Sequence, residues 1–373
     1  MIELDSQLTS EILGRATRPV LADETRTALQ GRTVLITGAG GSIGSELARQ
    51  VAACGPRGLT LLDQSEYHLF QIEAEVRRRW SAVALRAVLG DITRAADVAE
   101  AFDGAPEIAL HAAAYKHVTM AERAIVAAAR VNVLGTAMVL EAARRAGSRM
   151  VLVSSDKAAE PASVMGATKR MAEMLVLASG EAGQRAVVRF GNVLGSSGSV
   201  LELMVRAIEQ GAPIPVTDPS ATRYFMTVSE AVSLVLTAGC GPHQSDVFWV
   251  DMGEPIRIGD LAARVERWAR SQGRTFPGTR VIGLRDGEKR DEQLTTQGLE
   301  MTPTLNPHVW TARQTPIDVT ELTAAVEQLS TAVEHGDAAS VLEALVDGVP
   351  DFIPAAATCA RVLPRPVAFA EAA

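Results

Sequence analysis

The stretch VLVSSDKAAEPASVMGATKR, residues 151–170, ends an apolar run with two hydroxyls, a carboxylic acid and an amine: Ser154, Ser155, Asp156 and Lys157. An acid beside an amine at the carboxyl end of a strand can move protons to and from a ligand, and open α/β sheets bind ligands there. Met165 and Lys169 follow, four residues apart and so on one helix face. A thioether carries no proton, so Met165 offers shape where Lys169 offers charge. A second stretch, TGAGGSIG at 37–44, directly follows a strand and opens a helix. There Gly38 and Gly41 permit a tight turn and close approach to a pyrophosphate, and Gly44 lets helix and strand pack. The helix N-terminus adds N–H donors and a positive dipole. Asp63 ends the next strand, nineteen residues after Gly44, where a carboxylate accepts the ribose hydroxyls of NAD and repels the 2′-phosphate of NADP. Arg77, Arg78 and Arg79 lie late in the following helix and read as a solvated face.

Positioning these groups takes a parallel sheet with crossover helices. TVLIT (33–37), LTLLD (59–63), ALRAV (84–88), IALHAA (108–113), MVLVSS (150–155) and AVVRF (186–190) read as successive strands. Between them SIGSELARQVAA, YHLFQIEAEVRRRW, residues 119–146 and SVMGATKRMAEMLVLA carry helical spacing of apolar residues. The fold class is therefore α/β, a Rossmann-type doubly wound parallel sheet. Gly and Pro gather in GAPIPVTDPSATRYF and FPGTRVIGLRDGEKR, which places a smaller C-terminal substrate-binding lobe after the sheet. The resulting organisation is an N-terminal extension (1–30), a dinucleotide-binding domain (31–190, with parts of 191–260 contributing), a substrate lobe (191–352) and an Ala/Pro-biased tail (353–373) of poorly specified structure.

Composition narrows the partners. A formal net charge of -8 argues against general affinity for nucleic acid or an anionic membrane, while leaving room for a local phosphate pocket. Cys54, Cys240 and Cys359 are widely separated and show no zinc-ligand spacing, so reduced thiols and no metal are expected. MIELDSQLTSEILGR lacks the basic and apolar regions of a signal peptide, and the apolar run 119–146 is interrupted by Glu122, Arg123, Arg130, Asn132 and Glu141. No membrane span and a cytoplasmic location are the expectation.

With TGAGGSIG and Asp63 in place, the chain resembles the extended short-chain dehydrogenase/reductases. LLDQSEYHLFQIE, GDI (90–92), HAAAYKHV (111–118), NVLGT (132–136), SSDKAAEPASVMGATKR, RFGNVLGSSGSV (189–200), TRYFMTVSEA (222–231) and GLRDGEKRDEQL (283–294) narrow the likeness. Over about residues 11–352 the chain is similar to the polysaccharide-biosynthesis nucleotide-sugar dehydratases that act on UDP-N-acetylglucosamine. ILGRATRPVLADETRTALQGRTVLITGAGGSIGSEL is similar to the junction that follows a transmembrane domain in long members, so the chain resembles the catalytic portion without the anchor. Two departures stand out: TMAERA follows KHV where relatives tend to carry a proline and a second acid, and Asp286 replaces a common proline.

The resemblance implies a 4,6-dehydratase: oxidation at sugar C4, loss of water across C5 and C6, and hydride return to C6. Asp156 would be the acid for the departing hydroxyl and Lys157 the base at C5, with Lys169 and the oxidised nicotinamide lowering the Lys157 pKa. Met165 stands where relatives carry the tyrosine of a YxxxK pair. A subset with that methionine is associated with retention at C5 and a D-xylo product, and here Asp156 or an ordered water, placed by Ser155, would take the 4-hydroxyl proton. Implied cofactor contacts are Ser42, Ile43, Gln64, Asp91, Ile92, Ala112, Ala114 and Lys169; implied substrate contacts are Lys116, Asn192, Arg223, Arg285 and Glu288, the arginines as forks for a diphosphate. The helices of 119–146 and 163–178 could pair across a two-fold axis, giving a homodimer or larger ring. Two rivals are a nucleotide-sugar 4-epimerase, which leaves Asp156 and Lys157 without a task, and a non-catalytic NAD-binding sensor, which leaves the Ser155, Asp156, Lys157 and Lys169 set unexplained.

Overall fold

A computed structural model describes residues 6–15, 17, 21–179, 184–241, 246–293, 301–304, 306–312 and 317–363. All six apolar runs form strands: β1 (Thr33–Thr37), β2 (Gly58–Asp63), β3 (Ala84–Leu89), β4 (Ile108–His111), β5 (Arg149–Val153) and β6 (Arg185–Arg189). They pair in parallel in the order β3-β2-β1-β4-β5-β6, the doubly wound order whose direction of winding reverses between β1 and β4. The sheet extends beyond β6 through residues 246–250, parallel, then 309–312 and 302–303, antiparallel. Among the described residues, three of its nine strands thus come from beyond residue 190.

Helices cover both faces, which is why β5 and β6 read as unbroken apolar runs. Helices Ser42–Ala53 and Val228–Cys240 pack on one face with Ile36, Val151 and Val188; Thr136–Ala146 and Val164–Ala178 pack on the other with Leu35, Leu152 and Val187. A separate core under the smaller lobe gathers Leu201, Met204, Ile214, Phe225, Leu261 and Trp268. The N-terminal extension joins it through Ile12 and Leu13 of helix Ser6–Leu13.

The C-terminal residues do more than the composition implies. Helices Val319–His335, Ala338–Gly348 and Ala356–Val362 form a further core with Ala121, Ile125, Val133, Val164 and Met171. The expected tail is therefore helical and packed over 356–362, with Thr358 and Cys359 buried, while residues 364–373 lie outside the described residues. The chain's own C-terminal helices cover one face of helices Ile125–Ala129 and Val164–Ala178, burying Ile125, Ala128, Val164 and Met171. The helical run Ile125–Ala146 is long and apolar enough to cross a membrane, but Ala128, Ala129, Val139 and Ala143 along it are wholly buried inside the protein. A π-helical turn, Arg130–Gly135, interrupts it and turns Asn132 inward.

Candidate active site

The glycine-rich loop leads from β1 into helix Ser42–Ala53. Gly38 has φ +66° and a side chain there would come within 2.7 Å of the Ala113 backbone. One at Gly44 would meet the Gly38 carbonyl at 1.9 Å, so only hydrogen fits either position. The cleft beside the loop measures about 150 Å³ and is lined by Gly38, Gly41, Asp63, Gln64, Asp91, Ile92, Ala112 and Ala114, with Tyr115. Asp63 braces it, accepting the Gly40 N–H at 2.8 Å on one oxygen and the Ser65 N–H at 2.8 Å on the other. Asp91 accepts from the Thr93 N–H and Ile92 is buried beneath. At the helix start, the Ser42 hydroxyl accepts the Ser197 N–H at 3.1 Å, and Ile43 packs against the core. Room for a backbone-hugging diphosphate, N–H donors at the helix start and a carboxylate at the tip of β2 together fit a dinucleotide.

Catalytic candidates meet at the end of β5, where the chain turns through Ser155 into a one-turn helix, Asp156–Ala158. Asp156 Oδ1 accepts from Ser155 Oγ (2.8 Å), the Lys157 N–H (2.9 Å) and Lys157 Nζ (3.0 Å). Its Oδ2 is buried and has no hydrogen-bond partner among the described residues. Such an oxygen is costly unless a ligand completes it. A second carboxylate, Glu292, lies 3.4 Å from Lys157 Nζ and is itself buried. Burial works to lower the Lys157 pKa, but Asp156 and Glu292 outweigh it and hold the ammonium above its ordinary value. This overturns the expectation of a lowered Lys157 pKa: the neighbouring charge that matters is negative.

Helix Val164–Ala178 starts on a Ser163 cap that accepts the Gly166 N–H at 3.1 Å. Met165 is buried in the C-terminal core, and Lys169 donates to the Val153 carbonyl at 2.7 Å, beside the active-site strand. Burial lowers the Lys169 pKa to about 8, with Glu173 acting against the shift. His111 at the end of β4 is bonded to Thr37 Oγ1 and Thr136 Oγ1. Burial first, and the Lys169 charge second, push its pKa down to about 3, so the ring is neutral.

Several supporting residues escaped the sequence reading. Asn132, turned inward at the π-helical turn, clamps the Tyr115 backbone by accepting its N–H (2.8 Å) and donating to its carbonyl (3.0 Å), which fixes the Ala112–Ala114 wall. Under the catalytic turn Arg189 makes a fully buried two-pronged pair with Glu173 (2.8 and 2.6 Å), and Ser154 donates to the same carboxylate at 2.6 Å. The mostly one-signed spacing rules by which sequence is read give no signal for such long-range partners; Glu292, 135 residues after Lys157, is the sharpest case.

Among the implied substrate contacts the outcomes differ. Arg223 is buried, and its fork donates to the carbonyls of Thr222, Arg290 and Lys289 at 2.6–2.7 Å, so it braces the 289–292 segment where a diphosphate fork was expected. Arg285 is exposed on a turn closed by Glu288, whose carboxylate accepts the Arg285 N–H at 3.0 Å. Asn192 begins a short strand that pairs with Phe225–Thr227. Lys116 follows the cleft wall at Tyr115, with its pKa lowered by burial and raised in part by Glu202.

This geometry has relatives. Residues 34–314 match the family described as polysaccharide biosynthesis protein. The chain belongs to that family. Across 293 residues it is 41% identical to a probable polysaccharide biosynthesis protein, EpsC, of Bacillus subtilis, covering 76% of this chain and 48% of that protein. It is 42% identical over 274 residues to the capsular polysaccharide biosynthesis protein CapD of Staphylococcus aureus, covering 71% and 45%. The chain thus spans about half the length of these two relatives. A UDP-glucose 4-epimerase of Rickettsia canadensis is 33% identical, with 70% and 77% covered. Among solved structures, Pen from Bacillus thuringiensis superposes with a TM-score of 0.71 at 30% identity, covering 77% and 88%. DesIV, a dTDP-glucose 4,6-dehydratase from Streptomyces venezuelae solved with NAD, gives 0.61 at 22% identity, covering 70% and 88%, a likeness of fold. The relatives it resembles thus include polysaccharide-biosynthesis proteins and a nucleotide-sugar 4-epimerase.

Proposed function

We propose that the chain is an NAD-dependent 4,6-dehydratase that converts UDP-N-acetylglucosamine to its 4-keto-6-deoxy product. The observation that carries this reading is the pairing of Asp156 and Lys157 at the carboxyl end of β5, with Asp156 Oδ2 left for a ligand. Bound NAD would supply the hydride chemistry, oxidising C4 and later reducing C6. The chain's residues handle protons. Asp156 would protonate the departing 6-hydroxyl, and Lys157, once neutral, would remove the C5 proton made acidic by the 4-ketone. One lysine that removes and returns that proton works from one face of the ring, which supports retention at C5 and the D-xylo product.

A second reading is favoured by the Rickettsia relative: a nucleotide-sugar 4-epimerase. Against it, epimerisation has no departing hydroxyl to protonate and no C5 proton to remove, and so leaves the Asp156–Lys157 pair without its two tasks. Incubation with UDP-N-acetylglucosamine, followed by mass spectrometry of the sugar nucleotide, separates the readings. Loss of one water supports the dehydratase, an isomer of unchanged mass the epimerase. Recovery of unaltered substrate from UDP-, GDP- and CDP-sugars alike would sink both.

A further inference from the structure

The proton inventory of the site does not close on Asp156 and Lys157 alone. In the resting arrangement Lys157 is an ammonium wedged between two carboxylates, Asp156 at 3.0 Å and Glu292 at 3.4 Å. Elimination requires the opposite: a neutral amine facing C5 and a protonated Asp156 facing the 6-hydroxyl. Two protons must therefore be placed before elimination, the one leaving Lys157 and the one released from the 4-hydroxyl as C4 becomes a ketone. Asp156 holds one. Met165, a thioether, holds none, and the hydroxyl of Ser155 is already donating to Asp156. His111 is engaged by Thr37 and Thr136, and Lys169 donates to Val153. Glu173 is filled by Arg189 and Ser154. That leaves one carboxylate against Lys157.

We propose that Glu292 is the proton-holding partner of Lys157, supplying the acceptor capacity that Met165 lacks. The inference rests on the dehydratase reading. Before elimination Glu292 takes the ammonium proton of Lys157 while Asp156 takes the 4-hydroxyl proton, or the two carboxylates exchange these duties. Lys157 then removes the C5 proton as the C5–C6 double bond forms, and Asp156 gives its proton to the leaving hydroxyl, which departs as water. After C6 is reduced, Lys157 returns its proton to C5 and recovers the one stored on Glu292. Every group ends in its starting state. The fold provides for this: Arg223 ties the 289–290 carbonyls to the lobe and approaches Glu292 at 3.9 Å, so the lobe segment delivers the carboxylate at a fixed distance. Glu292 acts through Lys157 and is a positioning residue.

Two variants of the full chain, with NAD present, test this. Competitive labelling with acetic anhydride over a pH series, read on the Lys157 peptide by mass spectrometry, reports the titration of Lys157 without any turnover. Glu292→Gln, equal in shape but unable to store a proton, should move the midpoint to lower pH and slow product formation about a hundredfold. Glu292→Asp should keep the midpoint near that of the unsubstituted chain and restore much of the rate. An unmoved midpoint in Glu292→Gln, or turnover equal to the unsubstituted chain, would overturn the proposal. Failure of the dehydratase reading shows separately, as no loss of water from any nucleotide sugar by the unsubstituted chain.

Discussion

On the proposed reading, a methionine at 165 leaves the proton transfers to Asp156, Lys157 and Glu292. Asp156→Asn keeps the shape of the site but removes the acid, and Lys157→Ala removes the base. Each should lower turnover by about 10²–10⁴ while NAD binding, followed by fluorescence titration, is retained. Met165→Leu keeps volume and loses only sulfur; since Met165 packs in a core, turnover should stay within a few-fold, and a hundredfold loss would mean that the sulfur itself takes part. Lys169 gives a stability test. Burial lowers its pKa from the ordinary 10.5 to about 8, so the buried ammonium opposes folding at pH below 8 and the penalty fades as pH rises toward 10.5. Lys169→Met should therefore stabilise the fold by about 3 kcal/mol at pH 7 and by less than about 1 kcal/mol at pH 10, measured by urea unfolding. At this scale the sequence was informative where chemistry is local: Asp156, Lys157 and Asp63 sit where their strands end. Arg223 was misread because a buried arginine bonded to backbone carbonyls looks, in sequence, like a surface fork awaiting a phosphate.

Among the elements, the helix Ala356–Val362 binds three parts of the site together. Thr358 donates to the buried Glu122 carboxylate, which also accepts the Val164 N–H (2.7 Å) at the start of the Met165–Lys169 helix. Arg361 donates to the Glu122 carbonyl at 2.9 Å and comes within 3.9 Å of Asp286 on the turn that carries Arg285 and Glu288. Both segments that depart from the family pattern thus meet this helix. Arg361→Ala should raise KM for the nucleotide sugar several-fold with little change in kcat, because it frees the turn and spares the proton-handling groups. A proportionate loss in kcat with unchanged KM would contradict that role. Thr358→Val leaves a buried carboxylate oxygen short of a donor and should cost about 1–3 kcal/mol. None of this was legible in AATCARV, whose short, alanine-rich composition gives no hint of Glu122, more than two hundred positions away, or of Asp286. The six strands, by contrast, announced themselves, since a parallel sheet buried on both faces leaves unbroken apolar runs.

For the whole molecule, the decisive arrangement among the described residues is a nine-stranded sheet with one further core under the smaller lobe and another under the C-terminal helices. Those helices bury Ala121, Ile125, Val164 and Met171, apolar positions that would otherwise be solvent-facing. Deleting residues 317–373 should expose this face and make the protein associate or lose its cooperative unfolding, as sedimentation and thermal melting would register. A truncated chain that stays dispersed and melts like the full one would show the cover to be dispensable. Apolarity in the sequence marks a face that will be buried, and at these four residues the burying partner lies within the chain.

The central claim, Lys157 acting at C5 of a nucleotide sugar, is tested most directly by proton NMR of the product formed from UDP-N-acetylglucosamine in deuterated water. The account requires a dehydrated 4-keto sugar with deuterium at C5, configuration retained, and no such product from Lys157→Ala. A 4-epimer of unchanged mass carrying no deuterium, or dehydration undiminished in Lys157→Ala, would contradict it.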